Sequence, residues 1–274
     1  MNALTISDLR VELGPRGART EVVRGIDLTL RPGAIQGLAG ESGSGKSMTA
    51  MAVLGLLPAG GTVSGSIRLG EEELVGMSGR RYRAVRGSRI GMVFQDPSAS
   101  LHPQLTVGAQ LTDVMRTHLR LSRSDARSRA VDLLERVRVP QPEAALKKFP
   151  HQFSGGQRQR VAIAIALACD PEVLLADEPT TALDVTVQAG VLHLLRDLAA
   201  ERNLAVLLVT HDLGVMSAVA DDVAVMRHGR IVESGTRAQV FTDPAHEYTR
   251  QLLAAMPDAQ ESLVDTAAPG EDER

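Results

Sequence analysis

One octapeptide constrains the fold of this chain more than any other stretch of its sequence. "GESGSGKS" occupies residues 40–47, between the apolar segment "AIQGLA" and the segment "MTAMAVLGLL", in which apolar residues recur at helical spacing. The order is therefore strand, glycine-rich loop, helix. Because loop amides and a helix start together attract anions, the octapeptide predicts a phosphate-binding loop in an α/β sheet.

The octapeptide offers different groups to a bound nucleotide. Lys46 is expected to reach the terminal phosphates, and Ser47 is expected to offer its hydroxyl to Mg²⁺. Only three of the 30 basic residues are lysines, so lysine here indicates a need for a compact point charge rather than a planar guanidinium. The candidate nucleotide-binding residues are Gly40, Glu41, Ser42, Gly43, Ser44, Gly45, Lys46, Ser47 and Met48.

Two acidic residues follow a second apolar run, "VLLADEP". A pair of acids after a strand is typical of a helix cap, but in a chain with a phosphate loop it favours a catalytic role. Ligands bind at the carboxyl ends of parallel strands. Asp177 is therefore predicted to hold Mg²⁺ through water, and Glu178 to polarise the water that attacks the γ-phosphate.

Three more polar residues stand where predicted strands end. They are Gln95 in "MVFQDP", Asp184 in "TTALD" and His211 in "LLVTHDL". Each alone is typical of a solvated loop, whereas their convergence on one sheet edge predicts a common site. Gln95 is a candidate for both nucleotide and Mg²⁺ binding, and Asp184 for nucleotide binding.

Strands that alternate with helices predict an α/β fold with a mostly parallel sheet. Apolar and polar residues alternate over the first 35 residues, which indicates an N-terminal antiparallel β subdomain, and helices with charged faces indicate an inserted α-helical subdomain. The arginine-rich stretch "GRRYRAVRGSR" is interpreted as a solvated charged loop, with an anion or partner surface as the alternative. The predicted ranges are 1–95 (first part of the core), 96–162 (helical subdomain), 163–242 (second part of the core) and 243–274 (C-terminal tail).

Charge and cysteine content exclude several classes of protein. The net charge of -3 and the pI near 6.2 argue against a nucleic-acid-binding domain. The single cysteine, Cys169, excludes an internal disulfide and a cysteine-rich metal site. The N-terminus lacks the pattern of a signal peptide, and the longest apolar runs fall short of the roughly 20 residues that cross a bilayer. Any membrane role is therefore expected to depend on partners.

Five motifs together resemble the ATP-binding cassette (ABC) family over roughly residues 4–257. In order they are "GESGSGKS", "FQDP", "FSGGQRQR", "LLADEPTTALD" and "THD". The resemblance implies a P-loop NTPase (RecA-like) core that binds ATP and Mg²⁺, with Lys46, Glu178 and His211 as catalytic residues. It also implies that "FSGGQ" is the family's signature motif, which caps a helix and points at ATP held by a second cassette. The signature residues are Ser154, Gly155, Gly156 and Gln157.

Longer strings such as "FQDPSASLHPQLTVGAQL" and "FTDPAHEYTRQLLAAMP" resemble the ATPase subunits of peptide and nickel importers. This resemblance implies a peripheral protein on the cytoplasmic face of the membrane. The expected partners are a second ATPase subunit, two transmembrane permeases and, indirectly, an extracytoplasmic substrate-binding protein. The sequence stops at "APGEDER" without the cysteine-bearing extension of many peptide-importer ATPases, which favours the nickel or metallophore branch. The alternatives are a soluble ABC-type ATPase that acts on ribosomes or DNA and, less favoured, a P-loop kinase.

The sequence departs from the family where the nucleobase is expected. The family usually places an aromatic residue ahead of the phosphate loop to stack on adenine, but no aromatic residue precedes Tyr82 here. The adenine is therefore expected to lie against Arg19, Val22 or Val23.

Overall fold

The computed structural model describes residues 2–15, 17–181 and 183–256. The strands are β1 (Leu4–Leu13), β2 (Thr20–Leu30), β3 (Ile35–Ala39), β4 (Thr62–Leu69), β5 (Glu72–Glu73), β6 (Ile90–Val93), β7 (Val173–Asp177), β8 (Ala205–Thr210), β9 (Asp222–Arg227) and β10 (Arg230–Thr236). The helices are α1 (Lys46–Val53), α2 (Gly79–Val85), α3 (Pro97–Ser100), α4 (Val107–Leu119), α5 (Arg123–Arg136), α6 (Pro142–Ala145), α7 (Gly155–Ala166), α8 (Val185–Arg202), α9 (Leu213–Val219), α10 (Arg237–Thr242) and α11 (Glu247–Ala254), with a 3₁₀ turn at Pro150–Gln152.

The larger sheet has the strand order β10-β9-β3-β8-β7-β6. Its neighbours from β9 to β6 pair in parallel, and β10 is antiparallel to β9. Every residue of β3, β7 and β8 is buried, as continuous apolar runs predict for strands covered on both faces. Successive residues of β8 alternate between two apolar clusters, with Val206 on one side and Leu207 on the other. The predicted α/β fold with a mostly parallel sheet is confirmed.

The smaller sheet has the order β2-β1-β4-β5, and all its pairings are antiparallel. On β1, Leu4, Ile6, Leu9 and Val11 are at most 1% exposed. The spacing changes from two to three between Ile6 and Leu9, where the register shifts and Asp8 adopts a positive φ of 44°. The N-terminal antiparallel subdomain is therefore confirmed, and this irregularity keeps both apolar pairs on the buried side.

Helices α3 to α6 form a group inserted between β6 and α7. Hydroxyl side chains cap the N-termini of α4 and α5. Thr106 accepts a hydrogen bond from the Ala109 amide (3.2 Å), and Ser122 accepts one from the Asp125 amide (3.2 Å). Such caps satisfy amides that a helix start leaves unpaired. The inserted helices pack on the same apolar cluster as α7 and α8, so they are attached to the core beside the signature segment.

The interpretation of "GRRYRAVRGSR" as a solvated loop is wrong. Residues 79–85 form helix α2, in which Tyr82 is 8% exposed. The Arg86 guanidinium lies over the Tyr82 ring, 5.0 Å from its centroid, and its Nε donates to the Leu54 carbonyl at 2.6 Å. Arg86 therefore holds the helix against the core, whereas Arg80, Arg81 and Arg83 are exposed.

The range 243–274 contains a helix, α11. Helix α11 buries Tyr248 and Thr249, and the remainder predicted as a loose tail, residues 257–274, lies outside the described residues. Within the described part of the chain, no helix combines the length and apolar character that a membrane span requires.

Candidate functional site

A cleft of about 810 Å³ lies where β3, β6, β7 and β8 end. The phosphate loop forms one wall, through residues 40–43 and 45–48. Gln95, Glu178 and His211 line the cleft, each within two residues of the end of β6, β7 or β8. The parallel sheet thus brings these sequence-predicted residues to one place, at the edge where α/β folds bind ligands.

The glycines of the loop occupy backbone positions that larger residues do not tolerate. Gly40 has φ 145°, and a Cβ there would collide with the Met226 carbonyl. Gly45 has φ 110° at the start of α1, and a Cβ there would lie 2.7 Å from the Val22 carbonyl oxygen. The loop therefore passes closely between β2 and β9, which explains why glycine is needed at both ends.

Lys46 is buried across the loop. Its side chain donates from Nζ to the Gly40 carbonyl at 2.7 Å and to the Glu41 carbonyl at 2.8 Å, and the residue is 5% exposed. Burial lowers the pKa of Lys46, and the charges of Glu178, Asp177 and Glu41 oppose that effect. The ammonium group is therefore held against the first two carbonyls of the loop, at the wall of the cleft.

Ser47 and Asp177 form a second contact between the loop and the sheet. The Ser47 hydroxyl donates to Oδ1 of Asp177 at 3.0 Å, and Asp177 is 8% exposed. Burial raises the pKa of Asp177, while the Ser47 hydrogen bond and the Lys46 charge lower it. A hydroxyl and a carboxylate are hard oxygen donors, which suit Mg²⁺.

Glu178 forms hydrogen bonds with three other polar residues at the cleft. Its Oε2 accepts from Gln95 Nε2 (2.8 Å) and from the Thr181 hydroxyl (3.0 Å), and its Oε1 lies 2.8 Å from Nδ1 of His211. Burial raises the pKa of Glu178, but the hydrogen bonds from His211 and Thr181 and nearby positive charges bring it below its usual value. An ionised carboxylate only accepts, so Nδ1 of His211 carries the proton of that bond.

The signature residues and Asp184 do not line the cleft. The Ser154 hydroxyl accepts from the Gln157 amide (3.3 Å), and the Gln157 side chain accepts from the Ser154 amide (3.1 Å), which is a reciprocal cap of α7. Asp184 caps α8 by accepting from the Val187 amide at 3.0 Å. Gly156 packs so closely on Val187 that a Cβ would collide with it. These two helix starts form a separate surface next to each other.

Of the three residues predicted to contact the adenine, only Val22 lines the cleft, together with Leu13. Val23 is fully buried, and Arg19 donates to Glu12 and Thr62. Among the residues that the structure describes, no aromatic ring lines the cleft. The apolar wall on this side of the cleft is therefore aliphatic.

Sequence reasoning missed three residues of this region. Thr181 lies three residues after Glu178 in a turn, and the motif "DEPTT" offered the only signal for it. Leu252 lines the cleft, and the Tyr248 hydroxyl accepts a hydrogen bond from the Glu41 amide at 3.2 Å. Tyr248 and Leu252 both come from α11, in the range interpreted as a tail.

Comparisons with known proteins agree with this arrangement. A family model described as "ABC transporter" matches residues 23–181. The oligopeptide transport ATP-binding protein OppD of Bacillus subtilis is 47% identical over 271 residues, which cover 97% of this chain and 76% of that protein. The dipeptide transport ATP-binding protein DppD of the same organism is 44% identical over 256 residues, which cover 93% and 76%.

Two solved structures have the same fold. A dimeric ATP-binding cassette in a post-hydrolysis state, bound to ADP and Pi, superposes with a TM-score of 0.75 at 26% identity and covers 85% of this chain and 98% of that one. A cassette from Clostridium perfringens, part of the ABC transporter complex cbiONQ, gives a TM-score of 0.75 at 27% identity and covers 93% and 96%.

Proposed function

The chain belongs to the ABC transporter family, and on that premise we propose that it binds and hydrolyses ATP to energise peptide uptake through separate permeases. The observation that carries the ATPase role is the placement of Glu178. Its carboxylate lies in the phosphate-loop cleft and is oriented by Gln95, Thr181 and His211. A carboxylate held in place beside a phosphate loop supports a role as the base that activates water for phosphoryl transfer.

The roles of the other groups follow from their positions. Lys46 binds the terminal phosphates and offsets the charge that develops on them. Glu178 accepts a proton from the attacking water, since its lowered pKa keeps it ionised at neutral pH. His211 orients Glu178 and contacts the γ-phosphate. Most of the rate enhancement then comes from electrostatic positioning rather than from covalent chemistry.

Mg²⁺ fits the oxygen donors at the junction of the loop and the sheet. Ser47 and Asp177 are already in contact there, and the amide oxygen of Gln95 is a third donor at the cleft. When bound, Mg²⁺ neutralises charge on the phosphate oxygens. Asp177 is the residue best suited to hold the ion, because its burial makes an uncompensated negative charge costly.

A second cassette completes the site in this proposal. The signature residues lie outside the chain's own cleft, although their capped helix start is an anion-binding element. The similar cassette bound to ADP and Pi is dimeric. We therefore assign Ser154, Gly155, Gly156 and Gln157 to the nucleotide of a partner ATPase subunit, which is either identical or related, and Asp184 to the same interface.

The permease contact is assigned to an apolar groove of about 350 Å³. The groove runs between the core, through Leu56 and Phe94, and the inserted helices, through Leu101 and Val114. Phe94 directly precedes Gln95, which is bonded to Glu178. A short apolar segment on the cytoplasmic side of a permease would therefore contact both the core and the inserted helices, close to Gln95 and Glu178 of the ATP site. This contact would hold the ATPase peripherally at the cytoplasmic membrane face.

Replacing Leu56 by aspartate is expected to reduce by about tenfold or more the amount of ATPase that co-purifies with the permeases, because an unpaired carboxylate is costly to bury. Leu56 is 42% exposed and lines the groove. Leu105 is the matched control, since it is 45% exposed but does not line the groove. Equal recovery of Leu56→Asp and Leu105→Asp with the permeases would place the contact elsewhere.

The proposed solute is a peptide, because the relatives named above are oligopeptide and dipeptide transport ATP-binding proteins. In cells that carry the complete importer, labelled di- and oligopeptides are expected to accumulate with the wild-type chain and not with Glu178→Gln. Nickel and nickel chelates are tested in parallel. Uptake of nickel without peptide would overturn the peptide assignment and leave the ATPase role intact. The alternative role on ribosomes or DNA has no support among the named relatives.

A further inference from the structure

A buried phenol of helix α11 contacts the phosphate loop. Tyr248 is 2% exposed, and its hydroxyl accepts a hydrogen bond from the Glu41 amide at 3.2 Å. Burial raises the pKa of Tyr248, so the phenol stays neutral at physiological pH. The phenol thus meets the backbone amide of Glu41 at the beginning of the loop, and the Glu41 carboxylate also interacts with it.

That amide belongs to the peptide unit whose carbonyl contacts the lysine. The Gly40 carbonyl and the Glu41 amide are the two ends of one planar trans peptide, so they point in opposite directions. The carbonyl accepts from Lys46 Nζ at 2.7 Å, and the amide donates to Tyr248. The peptide is therefore held on both sides, and its orientation decides where the ammonium group of Lys46 finds its acceptor.

This peptide needs an anchor because of its neighbour. Gly40 adopts φ 145°, a region open to glycine but not to other residues, so its own backbone restrains the plane only weakly. The next carbonyl, that of Glu41, also accepts from Lys46, at 2.8 Å. Two successive carbonyls thus hold the lysine, and the first of them is fixed from outside the loop.

The phenol itself is fixed by the edge of the sheet. The Arg227 guanidinium, at the end of β9, lies 4.4 Å from the centroid of the Tyr248 ring. Glu233 of β10 accepts from the amides of Ala245 (2.7 Å) and His246 (3.1 Å), just before α11. The start of α11 is therefore attached to β9 and β10, and the turn between these strands borders the loop, where the Gly229 amide donates to the Ser44 carbonyl at 2.9 Å.

We propose that Tyr248 is a positioning residue for ATP binding, which orients Lys46 through the Gly40–Glu41 peptide. The proposal rests on the proposed role of Lys46 in binding the terminal phosphates. It adds to the ATP site a residue from the C-terminal helix, more than 200 positions away along the chain. Tyr248 touches neither the nucleotide nor the reacting water in this role.

Tyr248→Phe keeps the ring beneath Arg227 and removes only the hydroxyl, which accepts from the Glu41 amide. The dissociation constant and KM for Mg-ATP are expected to rise about fivefold, the effect of losing one neutral hydrogen bond. The value of kcat is expected to change less than twofold, because bound phosphates hold Lys46 once the site is occupied. The measurements are Mg-ATP titration of the purified chain and steady-state hydrolysis.

Tyr82→Phe is the matched control. Tyr82 is the other tyrosine of the chain, 8% exposed, with Arg86 over its ring and a hydroxyl that donates to the Val53 carbonyl at 3.3 Å. It does not line the cleft. Its loss is expected to lower the melting temperature without changing affinity for ATP. If Tyr248→Phe behaves in the same way, Tyr248 has only a structural role and the proposal fails.

A double-mutant cycle separates action through Lys46 from a general effect on the loop. In a Lys46→Ala background, Tyr248→Phe is expected to leave the dissociation constant for Mg-ATP unchanged. A fivefold loss in that background as well would show that Tyr248 acts without Lys46, which overturns the proposal alone. If Lys46→Ala itself binds Mg-ATP like the wild type, the proposed role of Lys46 fails, and this inference fails with it.

Discussion

Glu178→Gln is expected to lower ATP turnover by about 10²- to 10⁴-fold, the contribution of a positioned general base. Glutamine preserves the shape of the side chain and can keep a hydrogen bond to Thr181, but it does not accept the proton of the attacking water. ATP binding should persist, because Lys46 and the loop amides are unchanged. The variant is therefore expected to accumulate an ATP-bound dimer, measured by light scattering with and without Mg-ATP.

Glu172→Gln is the control for this variant. Glu172 precedes the first residue of β7 and Glu178 follows its last, so the two carboxylates stand at opposite ends of one strand. Glu172 pairs with Arg89 at 2.6 Å and is remote from the phosphate loop in the sheet. Turnover of Glu172→Gln should match the wild type. Near-wild-type turnover by Glu178→Gln would mean that Glu178 is not the base. Failure of this variant to dimerise with Mg-ATP would count against the proposed pairing of two ATPase subunits.

Ser154→Arg is expected to reduce turnover by about a hundredfold or more while leaving ATP binding by the isolated chain unchanged. Ser154 is exposed and does not line the cleft of its own chain. An arginine at this helix start would block the anion site that is proposed to face the partner's nucleotide, and loss of one such electrostatic contact costs at least this much. ATP-dependent dimerisation, assayed in the Glu178→Gln background, should be lost.

Ser122→Arg removes an equivalent helix cap elsewhere. Ser122 caps α5 by accepting from the Asp125 amide at 3.2 Å, much as Ser154 caps α7 by accepting from the Gln157 amide at 3.3 Å. Both substitutions should therefore cost about 1 kcal/mol of stability. Only the change at Ser154 should impair turnover. Similar turnover by the two variants would contradict a role of the signature residues in a partner's site.

The core of the fold was predictable because its strands are simple apolar runs. "EVLLAD" became β7 and "LAVLLVT" became β8 within a residue at each end. Helix α2 was not predictable in the same way. The stretch "GRRYRAVRGSR" contains five arginines, and only Tyr82 and Val85 of the helix are buried, which is too few to give a helical apolar pattern. Helix α11 was missed because its sequence runs into an acidic, proline-containing segment, and Tyr248 contacts a loop that is more than 200 positions away in sequence.

The polar ends of the strands were predictable for a geometric reason. Gln95, Glu178 and His211 follow parallel neighbours, so the sheet necessarily brings them to one edge. The Tyr248–Glu41 contact could not be predicted from strand order in this way, because it joins a side chain to a backbone amide. Backbone acceptors carry no sequence signal, so the contacts of Lys46 with the loop carbonyls were also invisible before the structure. The assigned roles of these residues stay predictions until the variants are measured.

The contact between Gly156 and Val187 has a mechanical consequence. Because even a methyl group at position 156 would overlap Val187, the first turns of α7 and α8 have no room to slide past each other. Because the two helix starts are packed this closely, a shift of one is expected to displace the other. The capping residues of the two helices, Ser154 and Asp184, are therefore expected to change position together when a partner binds either of them.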